Sequence, residues 1–453
     1  MNKLLVLILT VVYFNLTSCK SAVRTESTYK NLSEQKDSRL SLKPNIVYIL
    51  CDVMGYGDIQ ALGGNTSKIP TPNVDSLISQ GLKFTDAHSS SSVCTPTRYG
   101  ILKGRYAWRT YLQKGVLRAK KSEPPLIDKN RLTVASFLKD NGPHHAGSMK
   151  TIVENNKVKI ELESTTQLLL LLTAKAIDYI NENAEASKKG KPFFLYVALT
   201  APHTPIVPTK EWQGKSGINA YGDFVMQTDW TVGQILKSLD KNNLADNTLV
   251  VFTSDNVTSK KANIPELESY GHYSSAGFRG RKTDIWDGGH RIPFIVRWPK
   301  GGVEAGSTNN QLICLTDLLP TCADILKTPL SKNKLVDAQS FYPALQGNII
   351  PNNREAIVHH SIFGNFAIRK GKWKLIFCSG SGGWSKDNNK TATKKRLPKI
   401  QLYDMESYPN ESKNLQGEYP EVVKELKILL EKYVADGRST PGKKLTNDVP
   451  IDI

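Results

Sequence analysis

The sequence has few cysteines and no apolar segment long enough to cross a membrane near its start. Only six of the 453 residues are cysteine, and their spacing matches neither a zinc-binding pattern nor a dense disulfide framework. The apolar stretch from Leu4 to Phe14 is shorter than the roughly 20 residues that a membrane-spanning helix needs. Internal repeats are absent as well. These absences exclude a disulfide scaffold and a repeat array, and they exclude a transmembrane helix over this stretch.

Acidic residues are scarce relative to basic ones. The chain has 60 lysines and arginines against 42 aspartates and glutamates, which gives a formal charge of +18. Such an excess indicates a polyanionic partner, such as a sulfated polymer, a nucleic acid or an anionic surface, although a merely soluble basic surface gives the same count. The basic residues are spread over many clusters and no nucleic-acid-binding motif accompanies them, so we do not expect nucleic acid to be the partner.

The first residues predict export and a lipid anchor. Lys3 precedes the apolar stretch, and the segment ends in Leu16-Thr-Ser-Cys19. A charged start, a brief apolar stretch and a small-residue site predict a secretory signal peptide over residues 1–18. The last four residues are typical of a bacterial lipobox, whose cysteine becomes lipidated; ordinary cleavage beside an incidental cysteine is the alternative. We therefore expect Cys19 to anchor the protein to a membrane, in the periplasm or at the cell surface, through a polar tether over residues 19–43.

Short apolar runs alternate with amphipathic segments between residues 44 and 348. Buried strands are predicted at Asn45–Leu50, Phe193–Leu199, Thr248–Thr253 and Pro293–Trp298. Helices are predicted at Leu132–Asn141, Ala174–Asn183 and Phe224–Asp240. Alternation of this kind predicts an α/β domain built around a largely parallel sheet.

The pattern changes after residue 348. Short strands separated by polar turns are predicted at Phe366–Arg369, Trp373–Phe377 and Gln401–Asp404, and a final helix at Pro420–Val434. The Gly-, Ser- and Lys-rich stretch 379–395 is predicted to be a long exposed loop. We therefore expect a smaller C-terminal α+β subdomain over residues 349–453.

Polar side chains follow two of the predicted strands. Asp52 comes after the first strand, and Asp255 and Asn256 come after the third. Open α/β sheets bind ligands beyond the carboxyl ends of their strands, and oxygen donors gathered there suit a hard cation such as Ca²⁺ or Mg²⁺. Aspartate and asparagine are also common as helix caps and turn residues, which is the alternative at these positions.

The segment 91–105 has the sequence SSVCTPTRYGILKGR. It resembles the signature of the formylglycine-dependent, arylsulfatase-like sulfatase family, which is Cys-x-Pro-x-Arg within a longer pattern that ends in Gly-Arg. Here that signature begins at Cys94 and includes Arg98. Further blocks that resemble the family in the right order are residues 45–58, 201–205, 252–256 and 279–290. The resemblance extends over most of the chain from residue 44 onward.

The resemblance implies an alkaline-phosphatase-like α/β sandwich and a sulfuric ester hydrolase that acts on sulfated polysaccharide or oligosaccharide. In the family, a maturation enzyme oxidises the signature cysteine to formylglycine. The hydrate of that aldehyde attacks sulfur, and sulfate is then expelled as the aldehyde re-forms. Cys94 would be the residue converted, since an unmodified thiol could not complete the second step.

The resemblance also implies a role for each further site residue. The metal ligands that it implies are Asp52, Cys94, Asp255 and Asn256. The metal would be Ca²⁺, with Mg²⁺ as the alternative ion. Arg98 would neutralise charge beside the aldehyde hydrate, and His203 would contact sulfate or protonate the leaving oxygen. Lys282 would hold the sulfate and the leaving oxygen as a point charge. A loop histidine bonded to backbone and a solvated lysine are the alternatives for the last two.

Two departures from the family pattern keep a second function open. The position after Asp52 is usually a second aspartate, but here it is Val53, whose side chain cannot ligate a metal. The family also has a Lys-x-His motif shortly after the helix that is predicted to end at Gly142. The chain has Pro143-His-His145 there instead. The alternative to a hydrolase is therefore a catalytically impaired sulfatase-fold protein that binds sulfated glycans.

Overall fold

The computed structural model describes residues 43–117, 124–141, 151–154, 157–161, 164–351 and 354–453. Within these ranges the strands are β1 (Asn45–Cys51), β2 (Leu82–Phe84), β3 (Ala87–His88), β4 (Thr151–Glu154), β5 (Lys157–Glu161), β6 (Phe194–Ala198), β7 (Thr248–Ser254), β8 (Phe294–Arg297), β9 (Ser307–Asn309), β10 (Ile313–Cys314), β11 (Ile357–His360), β12 (Phe366–Lys370), β13 (Trp373–Ile376) and β14 (Gln401–Asp404). The α-helices are α1 (Gln60–Gly63), α2 (Pro72–Ser79), α3 (Cys94–Lys103), α4 (Val134–Asn141), α5 (Leu168–Lys188), α6 (Ala220–Lys241), α7 (Ile264–Ser269), α8 (Leu318–Ile325), α9 (Tyr342–Leu345), α10 (Asn389–Lys394) and α11 (Pro420–Ala435).

The central sheet has six strands in the order β6-β1-β7-β8-β2-β9. Strand β1 pairs in parallel with β6 and with β7, whereas β8 runs antiparallel to β7 and β2. The strands predicted from apolar runs are β1, β6, β7 and β8, and each one matches its predicted bounds to within one residue. The prediction of a mostly parallel α/β sheet is therefore confirmed.

Helices cover both faces of this sheet. The side chains of β1 alternate between two cores, with Val47 and Ile49 in one and Tyr48 and Leu50 in the other. Helices α5 and α6 contribute to the first core, and α3, α4 and α8 contribute to the second. Because successive side chains of a strand point to opposite faces, a strand covered on both faces has to be apolar throughout. The arrangement is a three-layer α/β sandwich.

Helix α5 is longer than its sequence pattern predicts. The prediction began at Ala174, but the helix begins with the run of five leucines at Leu168. Leu169 and Leu172 are buried in the core, whereas Leu170 is 37% exposed. Leucine is a strong helix former, so the run extends the helix although it hides the usual apolar–polar period.

A second sheet lies in the C-terminal part of the chain. Its four antiparallel strands have the order β11-β12-β13-β14, and α11 packs against them through Leu426 and Leu430. The predicted strands in this region and the final helix are confirmed. Strand β11 was not predicted, because its last two residues are histidines, although all four of its residues are buried. The predicted α+β subdomain is present, and its boundary at residue 349 stays a prediction.

The stretch 379–395 is not the exposed loop that its composition predicts. Residues 380–383 are buried, and α10 follows at Asn389–Lys394. The main-chain amide of Ile285 donates a hydrogen bond of 2.7 Å to the carbonyl of Ser381. Glycine and serine here permit close packing of backbone on backbone, so the composition indicates contact and not flexibility.

The cysteines of the described residues are free thiols, namely Cys51, Cys94, Cys314, Cys322 and Cys378. Cys51, Cys314 and Cys322 are buried in apolar surroundings, as their sequence context predicts. Cys19 and the predicted signal peptide lie outside the described residues, so lipidation and export stay predictions. Where the structure is described, no helix has both the length and the apolar character to span a membrane.

Candidate active site

The carboxyl ends of β1 and β7 bring the predicted metal ligands together. The two strands are parallel neighbours, with Cys51 opposite Ser254 in register. Asp52 follows the first strand directly, and Asp255 and Asn256 follow the second. Both residues after β7 are fully buried. The sheet geometry that the sequence predicted is therefore the reason that these side chains meet.

Cys94 lies at the centre of this group. It is the first residue of α3, preceded by an extended Val93. Its thiol donates to Oδ1 of Asp52 at 3.5 Å, and it accepts from Nδ2 of Asn256 at 3.5 Å and from Nζ of Lys282 at 3.2 Å. The free main-chain amides at a helix N-terminus add a positive partial charge beside it. The position therefore combines metal-type oxygen donors with a cation.

The environment of Cys94 disfavours the thiolate. Burial, together with the carboxylates of Asp255 and Asp52, raises the pKa of the thiol to about 12, although Lys282 and Arg98 act in the opposite direction. Only the thiolate is a good nucleophile and metal ligand. At neutral pH the unmodified side chain is consequently a protonated thiol and a poor nucleophile.

Arg98 bridges the two carboxylates of the site. Its Nε lies 2.7 Å from Oδ2 of Asp255, and its Nη2 lies 3.1 Å from Oδ2 of Asp52. Burial lowers the pKa of Arg98, but Asp255 and Asp52 outweigh burial and raise it above its ordinary value. Burial and Asp255 raise the pKa of Asp52. Since residues four apart share one helix face, α3 presents Arg98 and Cys94 to the same site.

Lys282 and His203 complete the group. Lys282 is only 7% exposed and reaches the Cys94 thiol, so the alternative of a solvated lysine is wrong. His203 lies in the loop after β6, with Nδ1 2.6 Å from the carbonyl oxygen of Thr204. Its ring is nevertheless part of the site, because ligand atoms of Asp52, Cys94 and His203 all lie within 4.8 Å of one another. The backbone contact orients the ring and does not remove it from the site.

The donor set fits a hard cation. Asp52 and Asp255 contribute carboxylates, and Nδ2 of Asn256 contacts Asp255 at 2.7 Å. The amide oxygen of Asn256 is buried and, among the described residues, has no hydrogen-bond partner. An unpaired buried oxygen costs about 1–3 kcal/mol. Rotation of the Asn256 side-chain amide by about 180° exchanges its oxygen and nitrogen and directs the oxygen toward the carboxylates. Three oxygen donors of this type suit Ca²⁺ or Mg²⁺.

Val53 occupies the position where a second carboxylate is expected. Its side chain is 1% exposed and offers no ligand. Its φ is 70°, in the left-handed region that β-branched residues rarely adopt. The main chain is held in place, because the carbonyl oxygen of Val53 lies 3.2 Å from the Tyr221 hydroxyl. The turn after Asp52 is therefore retained although its ligand is missing.

A buried network around Asp58 holds the loops of the site, and sequence reasoning did not identify it. The carboxylate of Asp58 accepts hydrogen bonds from the hydroxyls of Tyr221 at 2.5 Å and Thr258 at 2.6 Å, and it lies 2.9 Å from Nε2 of His272. The carbonyl of Thr258 in turn accepts from the main-chain amide of Lys282 at 3.2 Å. The one available signal was that Asp58 ends a block that resembles the family.

Some sequence predictions lie outside the described residues. Residues 142–150, which include His144 and His145, belong to the segment where the Lys-x-His motif is expected. Cys19 also lies outside the described residues. Among the described residues, His203 is the histidine that groups with Cys94.

Comparison with known proteins identifies the class. The sulfatase family model matches residues 44–328. An N-acetylgalactosamine-6-O-sulfatase of Bacteroides thetaiotaomicron is 30% identical over 501 aligned residues, which cover 88% of this chain and 95% of the relative. Arylsulfatase A of Homo sapiens is 29% identical, with 85% and 87% of the two chains covered. The chain therefore belongs to the sulfatase family.

The solved structures agree with this assignment. A protein of Bacteroides thetaiotaomicron, solved in connection with the metabolism of multiple glycosaminoglycans, superposes with a TM-score of 0.71 at 28% identity. The alignment covers 86% of this chain and 99% of that chain. The fold is thus the alkaline-phosphatase-like sandwich that the resemblance implied, and the class of enzyme is the sulfuric ester hydrolases.

Proposed function

We propose that the protein removes sulfate from a sulfated polysaccharide or oligosaccharide, with formylglycine at position 94 as the nucleophile. One observation carries this proposal: Asp52, Asn256 and Lys282 converge on the Cys94 sulfur, each within 3.5 Å. Oxygen donors for a cation and an ammonium group for a sulfate thus meet at one reacting atom. The N-acetylgalactosamine-6-O-sulfatase relative supports a carbohydrate substrate.

The chain's own residues suit the charges of sulfate ester cleavage. The formylglycine hydrate would supply the hydroxyl that attacks sulfur and the aldehyde that re-forms when sulfate leaves. Lys282 and Arg98 would neutralise the sulfate oxygens, which carry the negative charge of the transition state. Nδ1 of His203 donates to the Thr204 carbonyl, so Nε2 is the ring nitrogen left to face the reaction. In the imidazolium form of the ring, Nε2 would give its proton to the leaving oxygen and return to the neutral state.

A cation and a maturation enzyme complete the chemistry. Asp52, Asp255, Asn256 and residue 94 would hold Ca²⁺, or Mg²⁺ as the alternative ion, and its charge would offset that of the sulfate. A formylglycine-generating enzyme would oxidise Cys94. The predicted signal peptide and lipidated Cys19 would direct the protein to the periplasm or cell surface, where its charge of +18 favours sulfated polymers.

Val53 favours a second candidate function. A missing carboxylate weakens the hold on a cation, and a sulfatase fold that lacks its cation retains Lys282 and Arg98 for binding sulfate. A protein that binds sulfated glycans with little turnover is therefore the alternative.

The test is coexpression with a maturation enzyme, followed by intact mass of the peptide that contains residue 94 and by ion chromatography of sulfate released from a panel of sulfated glycans. We expect the formylglycine mass and sulfate release, and no release from Cys94→Ala at an unchanged unfolding temperature. Glycan binding by the converted protein without release would support the second candidate. Neither binding nor release by the converted protein would contradict both.

A further inference from the structure

A pocket of about 450 Å³ lies beside the candidate active site. Its walls come from three separate parts of the chain: residues 260–268 after β7, residues 279–286, and residues 384–387 from the C-terminal region. Lys282, which contacts the Cys94 thiol at 3.2 Å, is also part of its lining. Lys282 therefore lines this pocket and also contacts the residue at which cleavage of the sulfate ester is proposed.

The pocket has a strong excess of positive charge. Cationic side chains outnumber anionic ones in its lining by five to two. Asp387 is already paired, because Lys395 lies 3.4 Å from its carboxylate. Among the described residues, Lys260, Arg281 and Lys386 have no carboxylate within ion-pairing distance. Unpaired cations that face one pocket attract an anion.

An aromatic side chain stands among these cations. Trp384 is 44% exposed, and the ammonium group of Lys260 lies 4.9 Å from its ring centroid. An indole face packs well against a sugar ring, because the C–H groups on one side of the ring form an apolar patch of similar size. An exposed aromatic ring beside unpaired cations therefore matches a sugar that carries a negative group.

The polypeptide holds Trp384 in a fixed position relative to Lys282. The main-chain amide of Trp384 donates to Oγ1 of Thr283 at 3.1 Å, and that of Ser385 donates to Oδ1 of Asp284 at 3.2 Å. Thr283 and Asp284 directly follow Lys282 in the sequence. The backbone at Trp384 is thus tied to the segment that contains Lys282 through hydrogen bonds from main-chain amides to side-chain oxygens, as a preorganised binding site requires.

We propose that this pocket is a subsite for a second anionic sugar of the substrate. Trp384 stacks against that sugar, and Lys260, Arg281 and Lys386 bind a sulfate or carboxylate group that is not cleaved. The inference rests on the proposed function, because it identifies the sugar beside the one whose sulfate Lys282 holds. The substrate class is then a glycan with negative groups on neighbouring sugars, in preference to one with a single isolated sulfate.

The test compares substrates on the converted enzyme. A chromogenic aryl sulfate is compared with three oligosaccharides. In these, the sugar next to the one that carries the cleaved sulfate is neutral, sulfated or a uronic acid. Trp384→Ala, Lys260→Gln and Lys386→Gln are measured with Lys394→Gln as the matched control, since that lysine is exposed on α10 outside the pocket. The readout is the ratio of kcat/KM for each oligosaccharide to kcat/KM for the aryl sulfate.

We expect Lys260→Gln and Lys386→Gln to lower this ratio about tenfold for one of the two charged oligosaccharides, through KM, because charge-assisted hydrogen bonds are lost. Trp384→Ala should lower the ratio for all three oligosaccharides, because the stacking contact with the sugar is lost. Loss with the sulfated oligosaccharide would identify the group bound in the pocket as a sulfate, and loss with the uronic acid would identify it as a carboxylate. The ratio for the neutral oligosaccharide should stay unchanged in the two lysine variants, and all ratios should stay unchanged in Lys394→Gln. Unchanged ratios in all pocket variants of an enzyme that hydrolyses the aryl sulfate would overturn the subsite and leave the proposed function intact.

A binding measurement separates the two proposals. Calorimetry with the same oligosaccharides on Cys94→Ala needs no turnover. Weaker binding after Trp384→Ala is added to Cys94→Ala supports the subsite. This holds even if the converted enzyme releases no sulfate, because that result would contradict only the proposed function. Equal affinity with and without Trp384 counts against the subsite.

Discussion

The main-chain amide of Val53 donates a hydrogen bond of 3.2 Å to Oδ1 of Asp255. This bond joins the turn after β1 to the turn after β7 and positions a carboxylate of the candidate metal site. The backbone of residue 53 therefore has a structural function that its side chain does not share. The cost is a β-branched residue at a φ of 70°, a conformation that destabilises by about 1–3 kcal/mol.

The first prediction is that Val53→Asp tightens Ca²⁺ binding. Aspartate tolerates the left-handed conformation better than valine and adds a carboxylate beside Asp52 and Asp255, so affinity should rise about tenfold or more. Val53→Asn is the matched control, because it relieves the same backbone conformation without adding charge. Calorimetry on the three proteins measures the effect. Equal or weaker affinity in the aspartate variant would show that residue 53 does not face the cation.

The second prediction concerns Arg98, which separates two neighbouring carboxylates. Arg98→Gln should destabilise the protein by about 3 kcal/mol without added cation, since it leaves Asp52 and the fully buried Asp255 uncompensated. Ca²⁺ should then stabilise the variant more than it stabilises the wild type, because the cation takes over the neutralising charge. Thermal unfolding with Ca²⁺ and with a chelator tests both parts. An equal response to Ca²⁺ in the two proteins would mean that the cation does not bind between these carboxylates.

The convergence of the candidate metal ligands could be predicted from the sequence because it follows from sheet topology. Asp52 and Asp255 each come after a short apolar strand, and neighbouring parallel strands end at the same edge. The start of α3 at Cys94 was not predicted, although Gly104, with a φ of 61°, marks its end. A helix whose first turn contains a proline and two threonines has too weak a propensity to stand out.

The wall of the positively charged pocket could not be predicted. Trp384 lies in a stretch whose composition indicates a loose loop, and its contacts are with residues about a hundred positions earlier. A Cβ atom on Gly383 would lie 2.4 Å from the carbonyl oxygen of Thr283, so that glycine is required for close approach. Composition does not distinguish a glycine that permits packing from one that permits motion. Only the tertiary structure separates the two.

The third prediction concerns a cluster of buried histidines. His88, His290 and His359 are all fully buried, with Nε2 of His359 3.2 Å from Nδ1 of His88 and the rings of His290 and His359 4.5 Å apart. Burial lowers the pKa of each of them. The charged groups that face the cluster are Asp86, Asp287, Arg291 and Lys374. The three histidines are therefore neutral in the folded protein at neutral pH.

These histidines bind protons in the unfolded chain at a pH where they stay neutral in the folded one. Their contribution to stability is present above the unfolded pKa of about 6.5 and is lost as pH falls through and below it, by about 1.4 kcal/mol per pH unit for each histidine. Between pH 6.5 and 5, His359→Gln should reduce the slope of the free energy of unfolding against pH by about 1.4 kcal/mol per pH unit, which is the contribution of one histidine. Urea unfolding at several pH values measures the difference between the two proteins. Parallel curves would show that His359 does not resist protonation.

The last prediction concerns the second half of the reaction. The segment where the Lys-x-His motif is expected contains His144 and His145, and among the described residues only His203 groups with Cys94. Cleavage of the ester needs an acid for the leaving alcohol, and release of sulfate needs a base. Loss of a general base costs roughly 10²–10⁴-fold in rate. Alcohol release should therefore outrun sulfate release.

Rapid mixing of the converted enzyme with a chromogenic aryl sulfate tests this directly. We expect a burst of alcohol of up to one equivalent of enzyme, with free sulfate lagging behind, and a peptide containing residue 94 that retains sulfate when the reaction is quenched during the burst. Cys94→Ala is the control and should give no burst. The double variant His144→Ala/His145→Ala determines whether either histidine acts as the base, because sulfate release would then slow further while the burst stays. Steady turnover without a burst, with alcohol and sulfate appearing together, would show that the second half-reaction has a competent base despite the missing motif.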